Sequence, residues 1–135
     1  MDKKFKRILL VDDELICNYI SIKWVRRLQI AEDIHVLTNG KQALEFIRES
    51  FENGENDNCP DLILLDIKMP VMDGIEFLKE FHNSKLPCKD KIKIVLLTSS
   101  LDNIDVKEAS RYNIHGYLEK PLNREKIEEV ILKLA

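Results

Sequence analysis

Three aspartates carry most of the chemistry that this sequence can do. Asp12 and Asp13 close the apolar run Ile8-Leu9-Leu10-Val11, and Asp66 closes the run Leu62-Ile63-Leu64-Leu65. Short apolar runs ended by charge suit buried strands and are too brief for helices. In an open parallel sheet, ligands bind beyond the carboxyl ends of the strands. If these two strands are neighbours, three carboxylates meet at one point. At roughly 4 Å and an effective dielectric of about 20, each pair would repel by about 4 kcal/mol. Such a cluster implies a use: either a divalent cation binds there or a proton is shared. Two further strand ends add a hydroxyl, Thr98, and an ammonium, Lys120. Taken singly, each has an ordinary explanation, because Asp and Thr after a strand cap helices or form turns and Lys before Pro is a solvated loop residue. Independent capping does not require the whole set.

Positioning these groups takes alternating strands and helices, and the sequence supplies them. Residues 7–11 read as a strand. Residues 15–28 read as a helix with Cys17, Ile20, Trp24 and Leu28 on one face. A short strand over 34–38 ends at the turn pair Asn39-Gly40, and 41–52 is helical with Leu44, Ile47 and Phe51 in step. After the polar loop 53–58 comes a third strand, 61–65. A turn over 69–74 leads into a helix headed by Ile75, Leu78 and Phe81. The fourth strand covers 92–97, and a thinly apolar helix over 102–112 has only Val106, Ala109 and Tyr112 to bury. Residues 116–118 form a fifth strand, and a last helix shows Ile127, Val130, Ile131 and Leu134 at helical spacing. Five β-α units in 135 residues leave no length for a second domain, so 1–135 reads as one α/β unit with a parallel sheet and helices on both faces.

Composition narrows the function classes. Hydrophobic residues at 44% and charged residues at 33% fit a globular chain, and a net charge of −3 argues against a protein built to grip nucleic acid. No run reaches the roughly 20 apolar residues needed to span a bilayer, and the Lys-rich start is no signal peptide, so the cytoplasm is expected. Cys17, Cys59 and Cys88 are odd in number and lack a CxxC pair, which fits a reducing compartment without disulfides or zinc.

At this point the motifs resemble the receiver domain of bacterial two-component response regulators over nearly the whole chain. Ile8-Leu9-Leu10-Val11-Asp12-Asp13-Glu14 resembles that family's first-strand acidic motif, and residues 61–74, from Asp61 through Asp66 to Met69-Pro70-Val71-Met72-Asp73-Gly74, resemble its phosphorylation signature. Thr98 and Tyr117-Leu118-Glu119-Lys120-Pro121 match the remaining marks, while Ser99 stands where the family more often has Ala. The resemblance implies a five-stranded, doubly wound, flavodoxin-like sheet of order 2-1-3-4-5. It implies that Asp66 is the phosphoacceptor, taking its phosphoryl group from a sensor histidine kinase or phosphotransfer protein. Mg²⁺ would be bound by Asp13, Asp66 and the Lys68 backbone carbonyl, with Asp12 acting through water. Lys120 would contact a phosphate oxygen, Thr98 would donate to the phosphoryl group, and Tyr117 would turn inward as a switch or else simply cover the sheet edge. The resemblance also raises the expectation of a cis Lys120-Pro121 bond. A downstream protein target, a monomer or weak dimer, no nucleic acid and no membrane insertion complete the expectation.

Three rivals use similar parts. Aspartate-nucleophile phosphatases, which are Mg²⁺ enzymes, place the second acid two residues beyond the nucleophile, whereas the acids here are adjacent and no cap domain is inserted. A docking-only receiver would usually have lost an acid or the Lys. A nucleotide or flavin binder needs a glycine-rich first loop, and the four glycines are scattered at 40, 54, 74 and 116. The expectation is therefore a non-enzymatic phosphoacceptor.

Overall fold

In the computed structural model, which describes residues 5–52, 59–86, 89–99 and 103–134, strands and α-helices alternate, with one short 3-10 turn at Lys89–Lys91 before the fourth strand. They run β1 Phe5–Val11, α1 Leu15–Arg27, β2 Ala31–Leu37, α2 Gly40–Glu52, β3 Leu62–Asp66, α3 Gly74–Asn83, β4 Lys93–Thr98, α4 Asn103–Ala109, β5 Gly116–Glu119 and α5 Arg124–Leu134. The sheet is parallel throughout, in the order β2-β1-β3-β4-β5. This is the expected doubly wound architecture. Residues 53–58, Cys88, residue 102 and the side chain of Phe51, all named above, lie outside what is described.

Strand residues alternate between two cores because successive side chains leave opposite faces of a sheet. Leu9, Val11, Ile63, Leu65, Ile94 and Leu96 pack with Ala43, Ile47, Phe77, Leu78 and Ala109 of α2, α3 and α4. Ile8, Leu10, Leu62, Leu64, Val95, Leu97 and Leu118 pack with Val25, Ile127, Val130 and Ile131 of α1 and α5. With both faces covered, the central strands are continuously apolar through Ile8–Val11, Leu62–Leu65 and Ile94–Leu97. β3 is buried from Leu62 to Asp66, so its terminal carboxylate is carried into the protein with it.

Four differences from the sequence reading have physical causes. β2 starts at Ala31, three residues earlier than expected, because it pairs with β1 from Phe5 onward and Asp33 finds partners there. Arg7 Nε and His35 Nε2 reach Asp33 Oδ2 at 3.0 and 2.9 Å. Burial pushes the Asp33 carboxyl up, but those hydrogen bonds outweigh it and hold the group below its ordinary range. The innermost face of α1 is Asn18, Ser21 and Val25, with Ile20, Trp24 and Leu28 packed at its margins and Cys17 half-buried. Asp73 caps α3 with a full capping box to Glu76, a Asp-x-x-Glu signal inside the segment read only as a turn. Finally, Cys59 is buried and disulfide-bonded, with its partner outside the described residues, which corrects the expectation of no disulfide; Cys17 is free.

His115 sits where β5 begins, and its Nδ1 accepts the Ile94 N–H at 3.1 Å. Burial, then the charge of Lys93, pushes its pKa below the ordinary imidazole value. The unfolded chain therefore takes up a proton first as pH falls. Stability should drop as pH falls below about 6.5 and level off below the folded-state value. Urea midpoints measured across that window should show the drop in wild type and a smaller one in His115→Gln.

Candidate functional site

The register of the sheet brings the acids together. Val11 pairs with Leu65, so Asp12 follows one strand as Asp66 ends the next. On the other side Asp66 pairs with Leu97, and Thr98 with Glu119, which places Lys120 just past the end of β5. The Lys120-Pro121 peptide is cis. Carboxylate oxygens of Asp12, Asp13 and Asp66 all lie within 4.8 Å of one another.

Lys120 is the hub. Its Nζ lies 2.8 Å from Asp12 Oδ2, 3.0 Å from Glu14 Oε1 and 3.3 Å from Asp66 Oδ1. Asp12 is fully buried and Asp66 nearly so, at 0% and 5% exposure, while Asp13 and Glu14 are exposed. One ammonium therefore faces three carboxylates, with Asp13 close by. Desolvation first, then the charge of Asp12, raises the Asp66 carboxyl to about 7 against the pull of Lys120. Burial works against the Lys120 ammonium, yet its close contacts with the Asp12 and Glu14 carboxylates keep its pKa above the ordinary lysine value.

The frame around the hub is made of backbone contacts. Asp12 Oδ1 accepts the Glu14 N–H at 3.0 Å, and the Asp12 carbonyl accepts from Asn18 Nδ2 at 2.8 Å. Asn18 occupies the core face of α1 for this reason, and the apolar periodicity of the helix gave no hint of it. Asp12 Oδ2, despite its ion pair, has no aligned hydrogen bond among the described residues. The β3–α3 turn is pinned by Gly74 N–H to Ile67 O, 2.8 Å, and by Gly40 N–H to Met72 O, 2.8 Å. A Cβ on Gly74 would collide with the Asp66 carbonyl oxygen and stand 2.9 Å from Ile67 Cα. Gly74→Ala should therefore destabilise by about 2–3 kcal/mol, since backbone has little room to yield. Denaturant midpoints would check this, and a loss under 1 kcal/mol would mean that the turn is softer than its contacts imply.

The remaining expected site residues are spread differently. Thr98 is buried at the end of β4, and its carbonyl accepts the Lys120 N–H at 2.7 Å. Tyr117 points outward, 42% exposed, and is not part of the cluster. Lys68 follows Asp66 by two residues, and its ammonium extends to Asp105 Oδ2 of α4 at 3.8 Å. Glu14 was not among the expected site residues, yet its carboxylate holds Lys120 directly. The signal was available in a third acid beside Asp12-Asp13, but only the folded β5 end reveals its partner.

The family model for the response regulator receiver domain matches residues 8–132. The response regulator Rcp1 of Synechocystis is 32% identical over 118 residues, covering 87% of this chain and 78% of its own. A two-component response regulator structure from Cytophaga hutchinsonii superposes with a TM-score of 0.83 at 30% identity, covering 98% of both chains. The Mn²⁺-bound form of Rcp1 superposes at 0.74, with 29% identity, over 93% of this chain and 88% of that one. The chain belongs to the response regulator receiver domain family. Relatives differ widely in length: the chain spans 77%, 10% and 49% of three others that it matches.

Proposed function

We propose that Asp66 accepts a phosphoryl group from the phosphohistidine of a sensor histidine kinase or phosphotransfer protein. The observation that carries this reading is the buried Asp66 carboxylate 3.3 Å from the Lys120 ammonium, with Asp12 and Asp13 alongside. An Asp66 oxygen bonds to phosphorus as the P–N bond breaks, and its electron pair leaves with the imidazole, which departs neutral when its other nitrogen is protonated. The product is a mixed anhydride that water can reopen, so the mark is temporary. Phosphoryl transfer asks chiefly for positioning and for neutralising charge on the equatorial oxygens. Lys120 supplies a compact cation for that, and the Thr98 hydroxyl a donor. Tyr117, exposed in this state, is the group that would turn inward.

A hard divalent cation fits the donors. Mg²⁺ takes oxygen ligands and keeps several waters, and the unaligned Asp12 Oδ2 is an oxygen with unused capacity. Asp13, Asp66 and the Lys68 carbonyl would hold it, with Asp12 acting through water; the Mn²⁺ bound by Rcp1 is consistent with such a site. When bound, the cation offsets charge on the acids and on the transferring group.

Leu15, Ile16 and Tyr19 stand exposed at the start of α1, beside the acids, and offer an apolar landing for the phosphodonor protein. The output is a changed protein-binding surface read by a downstream protein, with Lys68–Asp105 tying the β3–α3 turn to α4. In this reading residues 1–135 act as one receiver unit, a monomer or weak dimer working in the cytoplasm without nucleic acid. No helix among the described residues is long and apolar enough to cross a membrane. With Cys59 disulfide-bonded, the cytoplasmic placement rests on the kinase partner rather than on the cysteines.

Nothing favours phosphatase turnover of external substrates. Intact-mass measurement after treatment with acetyl phosphate and Mg²⁺ tests the reading: wild type should gain one phosphoryl group and Asp66→Asn none.

A further inference from the structure

Glu14 occupies the N-cap position of α1, yet its side chain makes no capping hydrogen bond. Ser, Thr, Asp or Asn would be the better choice there on capping grounds alone. The carboxylate instead reaches across to β5 and accepts an aligned hydrogen bond from Lys120 Nζ at 3.0 Å. Its backbone is fixed at both ends, the N–H on Asp12 Oδ1 and the carbonyl receiving the Asn18 N–H, each at 3.0 Å. The side chain is thus anchored close to the hub, although it remains largely exposed, at 59%. Its carboxyl is held below the ordinary Glu range by the hydrogen bond and then the charge of Lys120.

We propose that Glu14 is a positioning residue that restrains phosphorylation, by holding the Lys120 ammonium partly away from Asp66 and by opposing the approach of anionic phosphodonors. This rests on the phosphoacceptor reading of Asp66. A phosphoryl group arriving on Asp66 brings negative charge that Lys120 must meet, and Lys120 has to leave a partner to do so. Asp12 is buried and has nowhere else to turn, whereas Glu14 can be resolvated at once. Release of Glu14 is therefore the step that frees the cation, and the released carboxylate then faces an incoming anion at the rim.

The test compares wild type, Glu14→Gln and Asp66→Asn with acetyl phosphate in Mg²⁺, at low and high ionic strength. In this reaction the Asp66 oxygen–phosphorus bond forms, the P–O bond to the acetyl group breaks, and acetate leaves with the electron pair. Glu14→Gln should gain its phosphoryl group about fivefold faster than wild type at low salt, and the ratio should shrink towards one at high salt. A second readout needs neither metal nor phosphate: acylation of the Lys120 amine, followed by peptide mass, should be several-fold faster in metal-free Glu14→Gln. Equal phosphorylation rates at both salts, or unchanged Lys120 acylation, would overturn the role of Glu14 while leaving Asp66 as acceptor. Absence of any Asp66-dependent phosphoryl group in wild type would instead sink the phosphoacceptor reading, and this role with it.

Discussion

Lys120→Met should cost the metal-free protein about 3 kcal/mol at pH above 7, as expected when one partner of a buried ion pair is removed. Asp12 and Asp66 are both buried, and Lys120 touches each at 2.8 and 3.3 Å. Methionine fills the volume of the stem but leaves two carboxylates facing each other. The loss should depend on pH with a defined sign. The Asp66 carboxyl is already raised to about 7 with Lys120 present, and loses its cationic neighbour in the variant. A carboxyl whose folded pKa lies above its unfolded value contributes stability below the unfolded pKa, and that contribution fades as pH rises through the folded value. The gap between variant and wild type should therefore be smallest near pH 4–5 and widen through neutral pH. Urea melts at a series of pH values would show it. A gap that stays constant with pH would mean that packing of the stem, rather than charge, explains the loss.

Mg²⁺ should stabilise the wild type. At about ten times its dissociation constant a ligand that binds only the folded state contributes about 1.4 kcal/mol, which for a domain of this size is a shift of roughly 4 °C. Asp13→Asn should remove most of that shift while modestly stabilising the metal-free protein, because it takes one charge from a crowded acidic cluster. Asp12→Asn is the less clean probe, since Asp12 also holds Lys120 and the Glu14 N–H. Thermal melts with and without Mg²⁺ decide this. If millimolar Mg²⁺ leaves the wild-type melting temperature unmoved, these acids do not form a cation site.

Much of this was legible before any coordinates. Runs such as Leu62 to Leu65 announce a strand buried on both faces, and an acid at the end of such a run has one place to go, the carboxyl edge of the sheet. Convergence of Asp12, Asp66 and Lys120 follows once the strand order is known. What stayed hidden depended on partners distant in sequence. The early start of β2 needed Arg7 and His35 to accommodate Asp33. The polar core face of α1 needed the Asp12 carbonyl for Asn18. The hold of Glu14 on Lys120 joins residues 106 apart, and no periodicity encodes it. α4 shows the reverse case: the sequence offered few apolar residues over 102–112, and the helix is correspondingly short, ending at Ala109.

An acyl phosphate can be trapped where it forms, because borohydride reduces the activated carboxyl to an alcohol and turns aspartate into homoserine. Wild-type protein treated with a phosphodonor and Mg²⁺, reduced, digested and read by peptide mass should carry homoserine at position 66 and at no other aspartate. Homoserine at Asp12 or Asp13, or a phosphoryl-labelled protein whose Asp66 peptide is unchanged, would contradict the assignment of Asp66 as the acceptor.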